Sequence, residues 1–148
     1  MAITIERARP DDLKGVLRLL EQQALPLDGA DRLAEALVVA RQAGEVVGAA
    51  GLELYADGAL LRSVVVDASV QGQGLGRRLI EAALALADRR GLSTVFLLTT
   101  TAAGLFPRFG FERIERDDVP ESVRASVEFQ SACPASAVVM RRRMAWTP

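Results

Sequence analysis

The chain has 148 residues, half of them apolar, enough for one domain with a real core and too few to require a second. Its 18 basic and 19 acidic residues leave a net charge of −1, which excludes the basic excess of a non-specific nucleic-acid binder. The single cysteine, Cys133, rules out an internal disulfide, and the absence of histidine argues against a metal centre of ordinary ligand spacing.

Residues 1–10 carry charges at Glu6, Arg7 and Arg9, with no apolar run long enough for a signal peptide or a membrane span. The composition reads as a soluble protein of a reducing cytoplasm. Residues 2–8 alternate, Ile3 and Ile5 against Thr4 and Glu6, as in a half-buried strand. Pro10 and Asp11 open a helix whose Leu13, Val16, Leu17 and Leu20 share a face, and Pro26 ends it. A short helix is expected over 31–36. Strands over 37–40 and 46–54, joined around Gly44, must pair antiparallel, and a turn at Asp57-Gly58 leads into a third over 60–66. That strand holds Val64, Val65 and Val66, an unbroken apolar run that implies burial on both faces.

Leu75, Leu79, Ala83, Leu86 and Ala87 line one face of a four-turn helix ending near Gly91. Residues 94–99 are β-branched and aromatic, and the intervening helix makes their pairing with 64–66 parallel. A helix over 102–109 ends at Gly110. Closing strands follow over 111–115 and 137–142, with a helix over 120–131 between them. The fold class is α/β (α+β): one domain over residues 1–148, with a mixed sheet and a helix-covered, partly parallel centre.

Gln71-Gly72-Gln73-Gly74-Leu75-Gly76 lies between the third strand and the long helix. Alternate glycines remove Cβ atoms where backbone amides can close around an anion, which points to a phosphate-bearing ligand. A Walker loop would need Gly-Lys-Ser/Thr, but Gly76 is followed by Arg77. A dinucleotide fold would place its third glycine one position later and put a parallel unit, not a meander, before the turn.

The turn matches the Gln/Arg-x-x-Gly-x-Gly/Ala signature, and with the meander before it and the Phe109-Gly110-Phe111 segment after it the chain resembles the GNAT acetyltransferases over nearly its whole length. The resemblance implies a mostly antiparallel sheet of about six to seven strands with a splayed parallel pair at its centre and helices on both faces. It implies acetyl-CoA as co-substrate and no metal. Backbone amides of Gln71, Gly72, Gln73, Gly74, Leu75, Gly76 and Arg77 would hold the pyrophosphate. Val64, Val65 and Val66 would pair with the pantetheine arm, and an amide near Val64 or Val65 would stabilise the tetrahedral intermediate. Arg77 and Arg78 stand at the positive end of the helix dipole, where they either meet a phosphate or remain a solvated pair. Segment 97–111 resembles amino-acid acetyltransferases, and segment 129–137 a smaller branch associated with arsenic resistance. The acceptor implied is the amino group of a small molecule, an amino acid or an amino-acid-like arsenical.

Two positions depart from that pattern. Phe106 occupies the place of a tyrosine general acid, which leaves a silent CoA-binding sensor or partner subunit as the alternative to an enzyme. The strand before the turn offers Arg62 and Ser63 where some members carry a carboxylate. Glu53 is the candidate base, amid Gly51, Leu52 and Leu54, or else a solvated charge. Alternation puts Arg62 on the face of Leu60 and Val64, to hold a substrate carboxylate or to pair with Glu53. Thr99 and Thr100 either line the acceptor site or simply reflect β-propensity, and Thr101 either lines it or caps the next helix. Cys133 either binds arsenic or is a buried small residue. Residues 141–143 form a basic run suited to a strand edge or a subunit contact, and a homodimer through 135–143 fits the sequence without being demanded by it.

Overall fold

The computed structural model describes residues 2–25, 27, 29–100, 102–126, 129–130 and 136–144. Seven strands form one mixed sheet: β1 (Ile3–Arg7), β2 (Leu37–Gln42), β3 (Glu45–Tyr55), β4 (Gly58–Val66), β5 (Thr94–Thr99), β6 (Glu112–Ile114) and β7 (Val138–Arg143), in the order β1-β2-β3-β4-β5-β7-β6. Only β4 and β5 pair in parallel; the other neighbours are antiparallel.

Period-2 alternation sorts side chains onto two faces. Val38, Leu52, Leu61, Val95, Leu97 and Met140 meet Leu75, Leu79, Ile80 and Ala83 of α2 (Leu75–Arg89). On the other face, Leu37, Val39 and Ala49 pack on α1 (Leu13–Gln22). Beside them Leu60, Phe96 and Val139 pack with Val119 and with Val123 of α3 (Glu121–Arg124). The helices therefore cover both faces, as the alternation and the helical spacing require.

The expected elements are present with specific differences. Pro10–Asp12 is a 3-10 turn leading into α1, and the segment after Gly29 is 3-10 over Ala30–Glu35. The expected helix over 102–109 is 3-10 only over Phe106–Phe109, because Pro107 lacks an N–H and Gly110 turns left-handed at φ 86°. Of the helix expected over 120–131, Glu121–Arg124 is α-helical and Phe129 and Gln130 are π-helical, Gln130 N–H bonding the Ser126 carbonyl at 3.0 Å; residues 127–128, Ser131 and Cys133 lie outside the described residues. Strand β7 lies between β5 and β6, and β6 pairs with it only over residues 139–141, so Arg141 is internal while Arg142 and Arg143 run beyond the β6 pairing. Arg141 bonds Glu112 of β6 at 2.8 Å.

Strand β4 contains a bulge. Ala49 pairs with Val65 and Gly51 with Arg62, so Ser63 and Val64 oppose the single residue Ala50. Ser63 takes φ 59°, which costs a non-glycine residue roughly 1–2 kcal/mol. The extra residue reverses the alternation. Leu60 and Arg62 face α1 and α3, whereas Val64 and Val66 pack toward α2. Val64 is thus not on the face of Arg62, and of the three valines only Val65 is fully buried.

At the far edge of the sheet, Arg41 grips Asp12 with Nη1 and Nη2 at 3.0 and 2.8 Å and Glu6 with Nε at 2.8 Å. Asp12 also accepts the Arg9 amide at 2.7 Å, joining β1, β2 and the start of α1. Chiefly through the Arg41 hydrogen bonds, its carboxyl is held below the usual carboxylate range. A depressed folded pKa stabilises above the unfolded value and is lost as pH falls through the folded one. Asp12→Asn should therefore cost about 1–3 kcal/mol at neutral pH. Its acid-unfolding limb below pH about 4 should be shallower than that of the wild type, as read by thermal melts across pH.

Candidate functional site

The parallel pairing of β4 and β5 has two rungs, Ala59 with Val95 and Leu60 with Phe96. Beyond them β4 continues to Val66 and β5 to Thr99, each bonded only on its outer side, to β3 and to β7. The strands therefore part toward their C-terminal ends. At the closed end Gly58 has φ 146°, and a Cβ there would lie 2.8 Å from the Thr94 carbonyl oxygen, so the approach of the two strands depends on glycine.

The opening leads to the glycine turn. Gly72 and Gly74 adopt φ 83° and 74°, conformations that favour glycine, while Gly76 lies inside the first helical turn. Gly74 is the N-cap of α2 and brings no side-chain cap, so the first amides of this 15-residue helix point outward with the positive end of its dipole. Leu75 is buried under the helix and offers only its amide, whereas Gln73 is exposed. Gln71 reaches back, its Nε2 donating to the Val66 carbonyl at 3.0 Å. Gln23, at the end of α1, donates to the same oxygen at 3.3 Å. The Val66 carbonyl is thus engaged by two side chains, and Gln71 locks the turn to the strand end. Arg77 is exposed and paired with Glu81 at 2.9 Å, and Arg78 is exposed beside it.

On the other face Glu53 and Arg62 form an ion pair at 2.8 Å, each side chain 1% exposed. Tyr55 donates its hydroxyl to Glu53 Oε1, and Arg62 Nε donates to Ser63 Oγ at 3.1 Å. Glu53 opposes Leu60, and Gly51, packed on Leu33, opposes Arg62, so the pair lies between the α1 and α3 clusters. Of the two readings of Arg62, the geometry realises pairing with Glu53. Glu53 is not a solvated charge. Removing one partner would strand a buried charge at about 3–5 kcal/mol.

Thr99 is half-buried and accepts the Ala102 amide at 2.9 Å, closing the turn after β5. Thr100 is exposed, and Thr101 lies outside the described residues. Phe106 is buried against Phe109 and edge-on to Phe111, with centroids 6.5 and 5.7 Å away, on the α2 face. The structure thus brings the glycine turn and the end of β4 to one mouth, and gathers Glu53, Arg62 and Ser63 behind the bulge. Sequence reasoning missed Tyr55 and Gln23. Tyr55, two residues along the strand from Glu53, could have been found by period 2, but no local pattern marks Gln23.

A sequence profile described as acetyltransferase (GNAT) domain matches residues 34–113, more than half of the chain. An uncharacterized N-acetyltransferase of Chlorobaculum tepidum is 34% identical over 86 residues, 57% of this chain and 55% of that protein, so the match spans about half that relative's length. An amino-acid acetyltransferase of Mycobacterium tuberculosis is 30% identical over 133 residues, 80% of this chain and 74% of that one. Among solved structures, N-acetylglutamate synthase from Neisseria gonorrhoeae, complexed with coenzyme A and N-acetyl-glutamate, superposes with TM-score 0.82 at 22% identity over 99% of this chain and 36% of that one. A Mycobacterium tuberculosis protein in complex with CoA gives TM-score 0.79 at 26% identity, covering 96% of this chain and 99% of that one. Profile, relatives and fold agree with the splayed strands and the uncapped helix: the chain belongs to the GNAT acetyltransferases.

Proposed function

We propose that the chain transfers the acetyl group of acetyl-CoA to the amino group of a small acceptor of the amino-acid class. The observation that carries this reading is the opening between β4 and β5, which ends at the uncapped start of α2. Residues 71–77 fit a pyrophosphate there, through outward backbone amides and a favourable dipole. The exposed arginines Arg77 and Arg78 add positive charge at the same end. Free backbone of Val64 and Val65 beyond the last rung fits an extended amide-bearing arm and donates to the carbonyl oxygen as it becomes an oxyanion. Thr99 and Thr100, across the opening, border the acceptor's approach. The neutral amine attacks the thioester carbon, the C–N bond forms, the C–S bond breaks, and the ammonium proton passes to solvent as coenzyme A leaves. Support for an amino-acid acceptor comes from the Mycobacterium tuberculosis relative named an amino-acid acetyltransferase and from the Neisseria gonorrhoeae complex with N-acetyl-glutamate.

Buried Phe106 favours one other reading, a silent CoA-binding sensor or partner subunit, since that position carries no exchangeable proton. Incubation with acetyl-CoA and a panel of amino acids and amino-acid-like arsenicals, followed by thiol release, separates the two. Acceptor-dependent release identifies the transferase, and tight CoA binding without release identifies the sensor. Gly74→Ala, which forces a side chain into φ 74°, should weaken CoA binding about tenfold by calorimetry, with a cooperative melt lowered by several degrees. Arg78→Ala should weaken it about two- to fivefold at low salt and by less at high salt.

A further inference from the structure

The chain Tyr55–Glu53–Arg62–Ser63 joins two buried charges to the one non-glycine residue of β4 held at positive φ. Apolar residues of similar volume at two such sheet positions are often as stable or more so, so stability alone does not account for the pair. Its geometry has a further consequence. Arg62 Nη1 is fixed on Glu53 at 2.8 Å while its Nε holds Ser63 Oγ at 3.1 Å, inside the bulge that turns Val64 and Val65. Tyr55 fixes the other carboxylate oxygen. A charge network sealed at 1% exposure thus sets the backbone path into the residues that face the opening.

We propose, resting on the acetyl-CoA reading above, that Arg62 is a positioning residue. Clamped by Glu53 and Tyr55, it pins Ser63 so that the amides of Val64 and Val65 meet the thioester carbonyl. In this role Glu53 serves to hold Arg62 and not to receive the acceptor's proton.

Two variants test it without splitting the Glu53–Arg62 pair. Ser63→Gly admits the positive φ and removes the hydroxymethyl side chain that Arg62 holds; the double variant Glu53→Leu/Arg62→Met removes the clamp and keeps the volume. Both should melt within a few degrees of the wild type and bind CoA within about twofold, with kcat lowered at least tenfold and the pH profile of kcat/KM unmoved. Nitrogen-15 spectra of the CoA-bound protein should show the Val64 and Val65 amides displaced in both, and restoration of the pair in the double variant should return them. Full kcat with unmoved amides in both variants would overturn the proposal, as would a Glu53→Gln protein that loses the acidic limb of the profile while Ser63→Gly stays fully active. If the wild type releases no thiol with any acceptor, the transferase reading fails, and the amide shifts alone still decide whether the clamp positions the bulge.

Discussion

The structure depends on a parallel pairing that stops after two rungs. Buried backbone must find hydrogen-bond partners, so a sheet opened at its centre is sustained only if each strand is held from the outside. Strand β5 is held by six rungs to β7 and β4 by seven to β3, which lets the edges facing each other remain free for a ligand. The separation is built in at both ends. Gly58 admits the Thr94 carbonyl at the closed end, and the Ser63 bulge bends β4 where the strands part.

The two faces of the sheet divide the labour. Toward α2 the packing is wholly apolar and continuous, and it holds the helix whose uncapped start stands at the mouth of the opening. Toward α1 and α3 the core is split into two clusters, with the Glu53–Arg62 pair between them. The cofactor end rests on backbone geometry and the dipole, which tolerate much variation in side chains. The region behind the bulge rests on side-chain charges, which tolerate little.

Elements with a clean period were legible in the sequence. Alternation placed the meander, the 3.6-residue spacing placed α2, and alternate glycines marked an anion-binding turn, since each of these signals is local. The helix over 102–109 was overestimated because Pro107 and Gly110 limit regular bonding more than helix propensity extends it. The bulge at Ser63 has no local signature; it exists because tertiary contacts hold a serine in a conformation glycine would take more readily. Missing it placed Val64 on the face of Arg62 and left open whether that arginine served substrate or carboxylate. Strand order was likewise non-local. That β6 closes outside β7, making Arg141 internal, follows from pairing across 29 residues between Glu112 and Arg141.

Phe106 in place of a proton donor bears on the rate more than on the course of the reaction. A thiol has a pKa of about 8.5, so a departing thiolate is a competent leaving group at neutral pH and takes its proton from water soon after. General acid catalysis contributes typically 10²- to 10⁴-fold, and least where the leaving group is already weakly basic. Attack on the carbonyl is the harder half, and it is governed by how the thioester is held and how the oxyanion is met. The burial of Phe106 against Phe109 and Phe111 uses the same position for packing, joining the turn after β5 to the core under α2.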